Sequence, residues 1–172
     1  MPKVDETVIN FAVYEEGTEF LGMAEVTLPE ISNITNEVKG AGINGTFESV
    51  ARGHLEAMTL TLNFRTLVKS AIKLLEPCNH QIDLRVAQQS TENTSGNTDV
   101  TRVKHVLIVR AKKLSPGKVA PASPADASGE YAATYWATWI DGEKVLEIDI
   151  LNFIYFVNGK DWLEDVRKAL GK

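Results

Sequence analysis

The sequence predicts a mainly β fold, an antiparallel barrel or sandwich with one outer helix laid against it and a short C-terminal helix. Three observations carry this. Short segments alternate apolar and polar residues, most clearly Leu55–Phe64, where Met58, Leu60, Leu62 and Phe64 share one face and Thr59, Thr61 and Asn63 the other. Tight-turn dipeptides, Asp141-Gly142 and Asn158-Gly159, separate such segments near the C-terminus. A helical period occurs in only two short stretches, with no βαβ rhythm.

In chain order, Val8–Tyr14 reads as a strand because Ile9, Phe11 and Val13 alternate with their neighbours. Glu15–Thr18 supplies a turn, and Phe20–Leu28 returns as a strand ending at Pro29. Ile34–Lys39 is a further, weaker strand, and Gly40–Gly53 reads as an irregular loop. After Leu55–Phe64 the period changes. Thr66 is placed to cap a helix over Thr66–Glu76, with Leu67, Ala71, Leu74 and Leu75 at helical spacing and Pro77 as its stop.

Ile82–Gln88 and Val100–Lys112 read as strands around a polar loop, Ser90–Asp99. Ser115–Gly129 is rich in proline, glycine and small residues and reads as an exposed loop. Tyr131–Ile140 and Lys144–Phe153 form a hairpin about Asp141-Gly142. On simple alternation Tyr131, Tyr135 and Trp139 share a face with Ala133 and Ala137, and Trp136 faces the other way with Ala132 and Ile140. Leu146, Ile148 and Ile150 oppose Glu147 and Asp149. Asp161 with Glu164 resembles a capping box for a last helix, Asp161–Leu170, with Trp162, Val166, Ala169 and Leu170 as its apolar stripe and Gly171 as its stop. That gives seven or eight strands and two short helices.

The length, 172 residues, fits one domain, residues 1–172, with no repeat and no linker. One cysteine, Cys78, excludes an internal disulfide and a four-thiolate metal site. The net charge of −5 argues against a chain whose task is gripping phosphate backbones. Charge is uneven: residues 1–65 hold ten acids and four bases (net −6), 66–118 four acids and nine bases (net +5), and 119–172 nine acids and five bases (net −4). Unlike faces of this kind suit head-to-tail contact between copies, although solvated faces alone also account for them. No apolar run reaches the roughly 18 residues a membrane helix needs, and MPKVDETV lacks an apolar signal region.

Catalytic and cofactor motifs are weak. Gly40-Ala41-Gly42-Ile43-Asn44-Gly45 spells G-x-G-x-x-G, but no helix opens at the glycines and no acid stands among Leu62–Lys69. A glycine-rich turn is the better reading, and no cofactor is expected. Cys78, His80 and Asp83 match no standard metal spacing, so no metal is expected. There is no G-x-S-x-G. Glu147 and Asp149 share a strand face, where paired carboxylates can do acid–base work but more often form a solvated or lumen-facing strip. The last hairpin carries apolar groups on both faces, more than one small barrel buries, and unpaired edges ask for neighbours. A ring of copies whose sheets continue into one another satisfies both.

The order of short motifs resembles the major tail tube protein of contractile phage tails, related to the inner tube of R-type bacteriocins. In the N-terminal half the resemblance rests on Leu28-Pro29, the Gly40–Gly45 loop and Glu56-Ala57-Met58. In the C-terminal half it rests on Asp141-Gly142-Glu143, Glu147–Asn152, Val157–Asp161, Leu163-Glu164, Arg167 and Leu170-Gly171. It spans nearly the whole chain, loops 90–99 and 115–129 excepted.

The resemblance implies a subunit of six-membered rings stacked into a tube, with a lumen that passes DNA without specific binding and a sheath outside. It also implies baseplate and tail terminator partners, assembly in the bacterial host cytoplasm, a place in the virion, and a mechanical role with no catalysis. Three groups of residues follow as candidates. Gly40, Gly42, Ile43, Asn44, Gly45 and Phe47 are expected at subunit or ring contacts, Glu147 and Asp149 at the lumen or a subunit seam, and Lys69 and Lys73 towards the sheath. An R-type bacteriocin tube, a secretion-system tube and a small β-barrel carrier of an apolar ligand are the alternatives.

Overall fold

The computed structural model describes residues 2–20 and 23–172. Leu21 and Gly22, inside the expected strand Phe20–Leu28, lie outside the described residues. The strands are β1 (Lys3–Glu15), β2 (Thr18–Phe20), β3 (Met23–Thr27), β4 (Asn33–Val38), β5 (Phe47–Leu55) and β6 (Met58–Phe64). After helix α1 (Lys69–Lys73) come β7 (His80–Glu92), β8 (Thr98–Ser115), β9 (Ala127–Ile140), β10 (Glu143–Asp149), β11 (Ile154–Val157), β12 (Lys160–Asp161) and helix α2 (Glu164–Ala169). All pairings are antiparallel.

Ten strands form one sheet in the order β12-β11-β10-β9-β8-β7-β1-β2, with β6 also pairing β9 and β3 pairing β6. The sheet does not close, so the expected barrel is corrected to an open, branched sheet. The branch lies in β9. Its first half, Ala127–Ala133, pairs β6, and its second half, Tyr135–Ile140, pairs β10. A register shift against β8 leaves Thr134 as the extra residue between them. That bulge corrects the simple alternation. Tyr131 and Ala133 point into the core together with Trp136, while Tyr135 and Trp139 lie on the opposite face.

The core gathers Val13, Met58, Leu60, Leu62, Phe64, Ile82, Leu84, Leu107, Tyr131, Trp136 and Ile148. β6 behaves as its alternation predicts, with Met58, Leu60, Leu62 and Phe64 all buried. The Tyr131 ring lies across Gly129, where any side chain would overlap it. Burial, with the Glu15 carboxylate adding to it, pushes the Tyr131 hydroxyl up to about 12.

Helix α1 is shorter than the expected Thr66–Glu76. Val68 stands at its N-cap without a side-chain bond, so Thr66 does not cap it. At its other end Leu75 and Glu76 donate to Ile72 and Lys73, the tight turns that precede Pro77. Only Ala71 and Leu74 of the expected stripe are buried, and Leu67 and Leu75 are exposed. A buried contact between His80 and Glu15 fastens this segment. His80 Nδ1 is 2.5 Å from Glu15 Oε1, and its Nε2 donates to the Glu76 carbonyl at 3.1 Å.

The last helix is also shorter than Asp161–Leu170. Leu163 is its N-cap, and the expected capping box does not form, because Asp161 binds Arg167 at 2.6 Å instead. Its stripe is not buried either; Leu163, preceding the helix, is the anchor, packed over Gly53. Gly171 does end it, at φ 72. The return strand Lys144–Phe153 stops at Asp149, because Asp149 accepts from the Leu151 and Asn152 amides and turns the chain into β11.

Two outcomes follow from the core. Glu15→Ala leaves the buried His80 Nδ1 without its partner and should lower stability by about 1–3 kcal/mol, measured by chemical denaturation. Glu15→Gln, which keeps an acceptor, should lose less. His105 is buried, and its Nδ1 accepts from Trp136 at 3.3 Å and from Thr138 at 2.8 Å. Burial lowers its pKa to about 4. Below the ordinary value of 6.5 the unfolded chain takes up a proton that the folded chain refuses. Stability contributed by neutral His105 is therefore present above pH 6.5 and lost as pH falls towards 4. The loss should reach up to about 3 kcal/mol, and His105→Asn should flatten that part of the pH–stability curve.

Candidate assembly surfaces

Gly40, Gly42, Ile43, Asn44 and Gly45 form the tip of the β4–β5 hairpin, with Phe47 opening β5. The expected loop Gly40–Gly53 is corrected here: only residues 39–46 connect the strands, and β5 takes the rest. Val38 pairs Phe47, Glu37 pairs Glu48, Asn36 pairs Ser49 and Thr35 pairs Val50. The tip is a turn in which the Ile43 amide donates to the Gly40 carbonyl at 3.2 Å. Gly42 and Gly45 sit at φ 84 and 124, positions that favour glycine. No atom of the same chain would touch a Cβ at Gly40, Gly42 or Gly45.

This hairpin stands outside the large sheet and is exposed on both faces. Ile34, Ile43, Phe47 and Val50 are 41%, 41%, 53% and 55% exposed, an apolar set that the chain's own core does not cover. Its base is fixed to the C-terminal segment. Gly53, at φ 78, lies directly under the Leu163 side chain, and Arg52 pairs Asp165 at 2.8 Å. Glu37 and Glu48 face each other across the ladder, a like-charge pair with no ion-pair partner among the described residues.

Glu147 and Asp149 do share a face of β10, as expected, on the side of the large sheet turned away from the core. Neither carboxylate is free. Glu147 accepts from the Tyr135 hydroxyl at 2.8 Å and from Lys144 at 3.0 Å. Asp149 accepts from the two turn amides and from Asn152 Nδ2 at 2.7 Å. Burial, and then the bond to Glu147, push the Tyr135 hydroxyl up to about 12. Sequence alternation misses Lys144, which a bulge at Val145 turns onto the Glu147 face.

Lys69 and Lys73 lie on α1, and both are exposed. Lys73 reaches Glu16 at 3.5 Å, while Lys69 makes no ion pair among the described residues. Around them Leu67, Val68, Ile72 and Leu75 are all exposed, which the helical period alone does not reveal. The three groups are thus separate surfaces, and the structure does not gather them into one pocket.

The chain is similar to known proteins over most of its length. The chain is 26% identical over 162 residues to the tail tube protein of Escherichia phage P2, covering 92% of this chain and 93% of that one. It is 27% identical over 169 residues to the major tail tube protein of Serratia phage KSP20, covering 94% and 93%. Its fold is similar to a solved chain of an extracellular contractile injection system described as a sheath/tube terminator in the extended state. That match has a TM-score of 0.57 at 13% identity and covers 79% of this chain and 97% of the other. A chain of the sheath–tube complex of the same system matches with a TM-score of 0.50 at 14% identity, over 75% and 87%. The profile of the family described as phage tail tube protein FII matches residues 5–171, and the chain belongs to that family of structural tail proteins.

Proposed function

We propose that this chain, acting as one tail-tube domain, builds the inner tube of a contractile phage tail as stacked six-membered rings. DNA passes through the lumen without specific binding, a sheath surrounds the tube, and baseplate and terminator proteins close its ends. The observation that carries this reading is the β4–β5 hairpin, a two-stranded ribbon with apolar side chains and no core of its own. A hairpin of that kind is marginal in water alone and gains stability by packing on a neighbour. A second feature agrees. Among the described residues β2 pairs β1 only at Val13–Glu15, so the outer edge of β1 before Val13 has no strand partner among them and is suited to strand addition, with Val4, Val8 and Ile9 beside it.

In this reading the hairpin tip with Ile43 and Phe47 makes subunit or ring contacts. The face of β10 with Glu147 and Asp149 lines the lumen or a seam. Helix α1, with Lys69 and its apolar surround, faces the sheath.

Negative-stain microscopy with analytical ultracentrifugation of the purified chain tests it: rings or hollow tubes are expected, and a ligand-binding monomer would overturn it. Ile43→Asp combined with Phe47→Asp should abolish tubes while leaving the circular dichroism spectrum intact, since both side chains are exposed in the single chain. Normal tubes from that variant would remove the hairpin from the interface. Lys69→Glu should weaken co-assembly with the sheath while bare tubes still form. Lys73→Glu should weaken it less, because Glu16 already engages Lys73.

A further inference from the structure

The C-terminal part of β8 carries a compact group of cations. Residues 107–118 hold four bases and no acid. Arg110 is the cross-strand partner of Ala132, which pairs Thr59 on its other edge. Tyr131 and Ala133, on either side of Ala132, are buried, so this rung faces away from the core. A register shift between Ala111 and Lys113 makes Lys112 the extra residue, and a bulge re-aims its side chain. Lys112 Nζ lies 3.3 Å from Thr59 Oγ1, which puts it on the Arg110 side of the sheet. Lys113 pairs Glu130, one rung along on that same side. Strict alternation would have parted Lys113 from the other two.

Arg110, Lys112 and Lys113 are all exposed, and none makes an ion pair among the described residues. Arg110 donates to Asn79 Oδ1 at 2.6 Å and Lys112 to the Thr59 hydroxyl, both neutral acceptors. Nearby acids are few. Glu130 stands across the ladder from Lys113, Glu76 lies in the bend before Asn79, and Asp83 is further along β7, opposite Val106. On the rungs themselves three cations stand against the one carboxylate of Glu130.

The β4–β5 hairpin carries the opposite sign. Residues 30–56 hold four acids and two bases. Glu37 and Glu48 are direct cross-strand partners, a like-charge pair that is unfavourable in the isolated chain, and Thr35 with Val50 continues their face. Arg52 is taken by Asp165, and Lys39, two residues beyond Glu37, forms an ion pair with neither glutamate. Both groups therefore carry a repulsion that an oppositely charged neighbour relieves.

We propose that the Glu37–Glu48 face of one copy's hairpin docks on Arg110, Lys112 and Lys113 of a second copy. This rests on the tube reading and names the surface that receives the hairpin. Each copy carries one surface of each sign, so the contact is head to tail. Such a contact passes from copy to copy and either closes a ring or continues along a stack. Ala132, at the centre of the basic group, is small, so nothing bulky on that rung stands between the cations and a ribbon laid over them. The charges fix which copy meets which and in what register, while exposed Ile43 and Phe47 supply the apolar anchors.

The test is a charge exchange in the full-length chain, read by sedimentation velocity and negative-stain microscopy. Glu37→Lys/Glu48→Lys replaces one like-charge pair by another and so leaves the hairpin's own balance as it was. Arg110→Glu/Lys112→Glu keeps Lys113 opposite Glu130. Each variant alone should need at least about tenfold more protein to assemble than the wild type. Mixing the two, or combining all the substitutions in one chain, should restore assembly, because hairpin and receiving strand again differ in sign. Arg110→Gln/Lys112→Gln, a milder change that serves if a reversal disturbs folding by circular dichroism, should flatten the salt dependence that wild-type assembly shows. Wild-type assembly with variants that assemble equally well, or that neither mixing nor combination rescues, overturns the docking and leaves the tube reading in place. A wild type that stays monomeric throughout overturns both.

Discussion

Strand β9 has to satisfy two different neighbours along one edge, and the rest of the structure follows from how it does so. β8 occupies its other edge from Ser128 to Ile140. On the shared edge β6 fills the first half and β10 the second, and the extra residue Thr134 marks the handover. A strand without that insertion would keep Tyr131 and Tyr135 on one face. Either Tyr131 or Trp136 would then leave the core, since a one-residue shift exchanges the two faces. With the insertion, the β6 side and the β10 side share one core, joined through Tyr131, Leu107, Trp136 and Ile148. The same handover lets the β7–β10 face present Lys104, Trp139, Glu147 and Lys144 together.

What the sequence reveals tracks how one-sided each element is. β6 buries one face completely, so its alternation is plain. The two dipeptide turns are legible because their backbones demand it: Asp141 and Gly142 sit at φ 49 and 87, Asn158 and Gly159 at 47 and 86. β5 is illegible because both of its faces are exposed, which removes the alternation that marks a strand. The far ends of β7 and β8 extend into the expected polar loop because their residues there are polar on both faces, and only residues 93–97 connect them. Bulges leave no hydrophobic signature, so simple alternation puts Tyr131 on one face with Tyr135, where the bulge at Thr134 separates them. The candidate contact residues were legible as exposed glycines and apolar anchors. The pairing state of the carboxylates was not, because it depends on register rather than on composition.

Several surfaces of the single chain stay incomplete in a common way. The hairpin has apolar groups on a ribbon without a core, β1 has an open edge, and α1 is ringed by exposed leucine, valine and isoleucine. Two cross-strand pairs of like charge, Glu37 with Glu48 and Arg85 with Lys104, lack counter-charges among the described residues. Each carries a local cost that a neighbouring molecule can offset. A family of structural tail proteins gives such unfinished sides a purpose. A monomeric carrier would gain nothing from leaving them open.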